Sequence, residues 1–272
     1  MAGDAVLLAG GGRAILLQLA DPRVGHGVAR HSDFAARPLD RLHGTMTYLY
    51  AIVDGTAEES AFVRRHVDRA HGPVHSDRHA APAAGDPARD EHGELRYDAF
   101  DRDAQLWVAA TLWDSAVQVW ERVHGPLDPV HAETVYRQYS VVGTSLQVPA
   151  SAWPADRAAF DRWWADRVAR LDVDDEARAV AHDLLHPRSP LWLRLVMPVA
   201  GLVTTALLPA SVREAYGLPW DDRRARRADL VLDVLARAWP HVPARLRTLP
   251  RDRYLAGLRR RMRDAAPSDR SR

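Results

Sequence analysis

From Tyr97 to Val123 the chain reads YDAFDRDAQLWVAATLWDSAVQVWERV, and Leu106, Trp107, Ala110, Trp113, Val117 and Trp120 recur in it every three or four residues. That interval lines them along one side of an α-helix, and Asp101 just before the run is suited to an N-cap. The same period runs through most of the sequence in alanine- and leucine-rich segments, with no convincing stretch of alternating β-branched residues. An all-α fold is therefore predicted, with helices over 13–20, 38–54, 57–71, 101–124, 129–147, 155–170 and 174–186. Pro38 near the start and Gly55 just past the end bracket the second of these, and Gly72-Pro73 closes the third. Residues 80–95, AAPAAGDPARDEHGEL, carry no apolar stripe and read as a loop. Residues 1–260 form one predicted globular helical domain, and 261–272 a disordered C-terminal tail.

Residues 191–208, LWLRLVMPVAGLVTTALL, approach the length and apolarity of a membrane span, but Arg194 and Pro198 interrupt them. A buried core helix is the expectation, with a monotopic membrane contact as the alternative. The N-terminal MAGDAVLLAGGGRAILLQLADP has Asp4 and no basic leader, which argues against a secretory signal and for a cytoplasmic location. Its Gly10–Gly12 run has no preceding strand and no lysine, so it is not a phosphate loop.

Composition then limits the chemistry. The chain has no cysteine and thirteen histidines, so any metal falls to imidazole or carboxylate. It also has no lysine, which removes every side-chain amine as a nucleophile or ligand. A net charge of +1 gives no electrostatic reason to expect nucleic acid as a partner.

Two stretches hold the candidate site. On the helix over 38–54, Arg41 and Thr45 lie four residues apart with Tyr48 nearby, forming a polar strip on an otherwise apolar helix. Such a pair can serve a buried anion or polar ligand, or the arginine can pair with Asp40 or reach water. His71, His75 and His79 repeat at a four-residue interval that could align three imidazoles on a metal, but Gly72-Pro73 breaks the helix between them. His71 alone closes an apolar stripe of Phe62, Val63 and Val67, where its ring can enter a pocket or sit as a hydrogen-bonded core residue. The tryptophans of the 101–124 helix suit a core, and equally the flat wall of a hydrophobic cofactor.

The segments LLQLADPRVGHGVARHSDF, RPLDRLHGTMTYLY, HGPVH, YDAFDRDAQLWVAATL and LLPASVREAYGLPW occur in that order over roughly residues 10–250. As an ordered set they resemble the MpaB-type oxygenase family, which includes the catalytic domain of the latex-clearing rubber oxygenases. The resemblance implies a globin-related helical fold holding haem b, with His71 as the iron ligand. It places Arg41 and Thr45 on the distal side as catalytic residues, and Trp107 on an apolar wall of the cofactor site. The implied activity is that of a haem-dependent oxygenase using dioxygen on an apolar small molecule, including oxidative C=C cleavage, with His26 or His31 assisting proton delivery. The alternatives are a haem-binding sensor or carrier without turnover, and a haem-free helical interaction protein or one holding a metal through His71, His75 and His79. Four positions depart from the family pattern: Gly44 stands for a distal lysine ligand, His75 for a glycine, and Asp21 and Ala109 for histidines.

Overall fold

A computed structural model describes residues 3–31, 38–76, 82–83 and 86–265. They form an all-α protein with thirteen α-helices among the described residues. A 3-10 turn over Ala5–Gly10 leads into α1 (Gly11–Leu19), followed by α2 (Pro22–His31), α3 (Pro38–Asp54) and α4 (Ala57–His71). A short antiparallel pair, β1 (Pro82–Ala83) and β2 (Asp86–Asp90), precedes α5 (Arg102–His124) and α6 (Pro129–Thr144). Then come α7 (Arg157–Val168), α8 (Asp175–Leu185), α9 (Leu191–Leu207), α10 (Ala210–Ala215), α11 (Asp222–Ala238), α12 (Ala244–Arg247) and α13 (Leu249–Ala265).

Aspartate begins most of these helices. Asp101, Asp128, Asp156, Asp174 and Asp221 each accept a backbone N–H of the first turn, satisfying donors that the helix itself leaves unpaired. At α4 a full capping box forms. Thr56 accepts the Glu59 N–H, and the Glu59 carboxylate accepts the Thr56 N–H in return.

The long helix α5 is the axis of the core. Its Trp107, Ala110, Thr111, Trp113, Ser115, Val117 and Val119 are all buried. One side meets α1, where Leu16, Leu17 and Leu19 are fully buried. The other meets α6 and α7 through an aromatic cluster of Trp113, Tyr136, Trp153 and Phe160. The triple glycine has a packing role: a Cβ on Gly10 would lie 3.0 Å from the Ser115 carbonyl oxygen, and one on Gly12 only 2.1 Å from Thr204 Oγ1. Close approach of α1 to α5 and α9, not phosphate binding, requires these residues. Arg13 then ties the same three helices together. It donates to the Leu207 carbonyl (2.6 Å) and to Ser115 Oγ (2.9 Å), and pairs with Asp114 at 2.5 Å.

Several expectations need correction. The break at Asp21 is a change of direction, because Pro22 opens α2 in the first-turn position that tolerates a missing N–H. The segment read as a loop contains the β1–β2 pairing, a backbone-only interaction that needs no apolar stripe. The tail boundary at 260 falls inside α13, which buries Leu258 and continues to Ala265. The largest correction concerns α9. Only Val203, Thr204 and Thr205 are buried, whereas Leu191, Trp192, Leu195, Val196 and Val199 are each more than half exposed. Its C-terminal half packs on α1, and its N-terminal half projects beyond that contact. No helix among the described residues is long and apolar enough to cross a membrane.

Candidate functional site

Helix α3 presents Arg41 and Thr45 on one side and Leu42, Met46, Leu49 and Val53 on the next. Arg41 Nη2 donates to Gln18 Oε1 at 3.3 Å; Gln18 Nε2 donates to Thr111 Oγ1 at 3.1 Å, and Thr111 Oγ1 to the Val108 carbonyl at 2.7 Å. This relay joins α3 to α1 and α5 and fixes the direction of the guanidinium. Part of the Arg41 surface stays accessible, but its charged end is enclosed by protein, and that burial lowers its pKa to about 10. It has no acidic partner among the described residues. Thr45 makes no side-chain hydrogen bond to any of them.

His71 is the last residue of α4. The Gly72 N–H returns to the Asp68 carbonyl, the Val74 N–H bonds the His71 carbonyl, and residues 74–76 then pair with 97–99. That pairing brings Phe100 edge-on to the imidazole, with ring centroids 6.2 Å apart. His71 Nδ1 is buried with no hydrogen-bond partner. Burial, and next the charge of Arg41, lower the His71 pKa, outweighing the opposing pull of Asp68 and Asp98. The imidazole is therefore neutral at pH 7, and it lies within electrostatic reach of Arg41. A neutral ring with an unpartnered nitrogen, facing an unpaired buried cation, is an arrangement suited to a ligand that supplies an electron-pair acceptor and an anionic or polar group.

Tyr48 anchors the helix that carries Arg41. Its hydroxyl donates to the Val142 carbonyl at 2.9 Å and contacts Ser145 Oγ, which holds α3 against the end of α6. At Gly44 an added Cβ would meet nothing within 4 Å.

The other sequence candidates lie differently. Trp107 is completely buried; its indole N–H donates to the Leu17 carbonyl at 3.0 Å, and its ring stacks on Trp164 at 5.0 Å. It belongs to the core and offers no face to a cofactor, because the α1–α7 contact closes over both sides of the ring. His26 is held between Asp174 (2.7 Å) and Glu176 (3.1 Å) on the start of α8. His31 is exposed and bonds the Tyr97 hydroxyl at 3.0 Å. His75 Nδ1 contacts the Ser76 carbonyl at 2.8 Å, and His79 lies outside the described residues. Among the described residues no three metal-binding side chains gather into a site. Asp21 is the centre of a buried ionic cluster with Arg23 (3.0 Å) and Arg167 (2.6 Å), which also engage Asp103.

Gln18 and Thr111 were not singled out from sequence. The signal available was a lone amide within the apolar LLQLA run, four residues before the turn at Pro22.

Two cavities adjoin these helices. An apolar slot of about 110 Å³ lies between α3, α5 and α6, lined by Leu42, Met46, Leu49, Leu112, Trp113 and Tyr139. A groove of about 840 Å³ lies between α9 and α11. Neither is lined by His71, Arg41 or Thr45. Residues 32–37 and 77–81, next to both site stretches in sequence, lie outside the described residues.

These features define an all-α protein whose interior holds an unpaired imidazole nitrogen and an unpaired guanidinium. Residues 1–263 match the family described as ER-bound oxygenase mpaB/B'/rubber oxygenase, catalytic domain, and the chain belongs to that family. It is also similar to the uncharacterized proteins Mb2261 of Mycobacterium bovis and Rv2237 of Mycobacterium tuberculosis. Each is 34% identical over 263 residues, covering 92% of this chain and 95% of the relative. No solved structure matches.

Proposed function

We propose that this chain is a haem b-dependent oxygenase acting on an apolar small molecule, with His71 as the axial ligand. The observation that carries the reading is the buried, unpartnered Nδ1 of a neutral His71 facing Arg41. Family membership supports it independently. When bound, haem supplies the redox-active iron at which dioxygen is activated.

The residues of the chain do the rest. The lowered pKa keeps the His71 lone pair free at neutral pH, and the α4 cap and the 74–76 pairing fix the ring. Arg41, with a pKa of about 10, stays protonated at pH 7 and donates hydrogen bonds in a direction set by Gln18. Thr45 adds an uncommitted hydroxyl on the same side of α3. The apolar slot on the adjacent side of α3 and α5 supports an apolar substrate.

The test is the absorption spectrum of the protein reconstituted with haem. A Soret band is expected, with its loss or a clear shift in His71→Ala. No band after reconstitution overturns haem binding, and an unchanged band in the variant overturns the ligand assignment. Oxygen consumption with terpenoid or aldehyde substrates then separates an oxygenase from a carrier.

A further inference from the structure

The exposed half of α9 and the groove beside it form a second functional surface, remote from His71 and independent of the haem assignment. The groove is rimmed by Arg188, Arg194, Arg224 and Arg227, and no carboxylate lines it. Arg224 is held by Asp221 at 2.7 Å, whereas Arg188, Arg194 and Arg227 have no acidic partner among the described residues. The acids one and two turns further along α11 face elsewhere: Asp233 is bound by Arg122 of α5 at 2.6 Å, with Asp229 beside it.

Next to this cationic rim lies apolar surface that the fold leaves uncovered. Leu191, Trp192, Leu195, Val196 and Val199 make a stripe along α9, and Leu230 and Val234 extend the Arg227 side of α11. A stripe of leucine, valine and tryptophan bordered by arginines is the pattern of a helix that lies in a membrane interface. At seventeen residues α9 is about 25 Å long, too short to cross the hydrocarbon and well suited to lie along it.

We infer that the α9–α11 face docks on an anionic lipid bilayer, with the arginines of the groove on lipid phosphates and the α9 stripe in the acyl boundary. Charge decides between occupants. A second copy brought up about a two-fold axis would set this arginine rim against itself, whereas an anionic bilayer complements it.

The test is co-sedimentation of the full chain with phosphatidylcholine vesicles, with and without phosphatidylglycerol. Binding to the anionic vesicles alone is expected, weakening with salt. Arg194→Gln and Arg227→Gln should each weaken it about fivefold, and Leu195→Ser with Val199→Ser should abolish it. All four positions are exposed, and circular dichroism of the variants checks their folding. Failure of the unaltered protein to bind anionic vesicles overturns the inference, as does equal binding to neutral ones or undiminished binding by folded variants. A dimer in sedimentation velocity that Leu195→Ser dissociates, without vesicle binding, would assign the face to a second copy instead.

Discussion

Replacing Arg41 by methionine should make the cofactor-free protein more stable while damaging its site. At neutral pH the guanidinium is charged in both folded and unfolded chains, so the folded state bears the whole cost of enclosing it. The fall in its pKa from 12.5 to about 10 corresponds to about 3 kcal/mol against the charged form. Losing the bond to Gln18 returns about 1 kcal/mol of that, and Gln18 keeps its contact with Thr111. Methionine fills most of the volume, leaving a net gain of about 1–2 kcal/mol, or a rise of several degrees in Tm. Thermal denaturation by circular dichroism measures this directly. A second readout is His71: with the positive charge gone, its imidazole should titrate at higher pH, as followed by NMR. Haem-loaded Arg41→Met should at the same time hold dioxygen less well than the unaltered protein. A lower Tm in the variant, with no movement of the His71 titration, would show that Arg41 is neither uncompensated nor near His71, and the site as described would fall. This is the trade of stability for function expected where a charge is kept without a partner.

Two further outcomes test the fold around the site. Arg13→Met leaves Asp114 buried without its cation and also removes the bonds to Leu207 and Ser115; a loss of about 3–5 kcal/mol is expected in chemical denaturation, much of it recovered in Arg13→Met/Asp114→Asn. A double variant as unstable as the sum of the two singles would refute that account. Burial alone would raise the Glu59 carboxyl, but Arg259 (2.6 Å) and the Thr56 N–H (2.8 Å) outweigh it and hold the pKa below the usual range. Its contribution is therefore complete above the unfolded pKa and disappears as pH falls through the lowered folded value. Glu59→Gln should cost about 1–3 kcal/mol at neutral pH and little in acid, and a constant difference across pH would contradict the assignment.

Helix positions were readable because apolar spacing and aspartate caps are local signals: α3, α4 and α5 fall within a residue of their expected limits. Arg41 and Thr45 could be paired for the same reason, since four residues on one helix is a local relation. Their relation to His71 is not local, and the ordered family motifs, not periodicity, carried it. The role of Trp107 was misread because helical spacing says which residues share a side and not which neighbour covers it; α1 and α7 cover this one. The same limit explains α9. An all-apolar stretch implies burial only where the rest of the fold reaches it. Gln18 and Thr111 escaped notice because a single polar residue inside an apolar run acquires meaning only once another helix delivers its partner.

Gly44 stands in open space, on the exposed surface of α3, with no neighbour that a longer side chain would displace. Nothing steric therefore enforces glycine there, and within a helix any ordinary residue would be more favourable by several tenths of a kcal/mol. One codon accordingly separates this protein from a form carrying a side-chain amine beside Thr45. The coordination habits of the two could be compared in a single scaffold, with every other contact held constant.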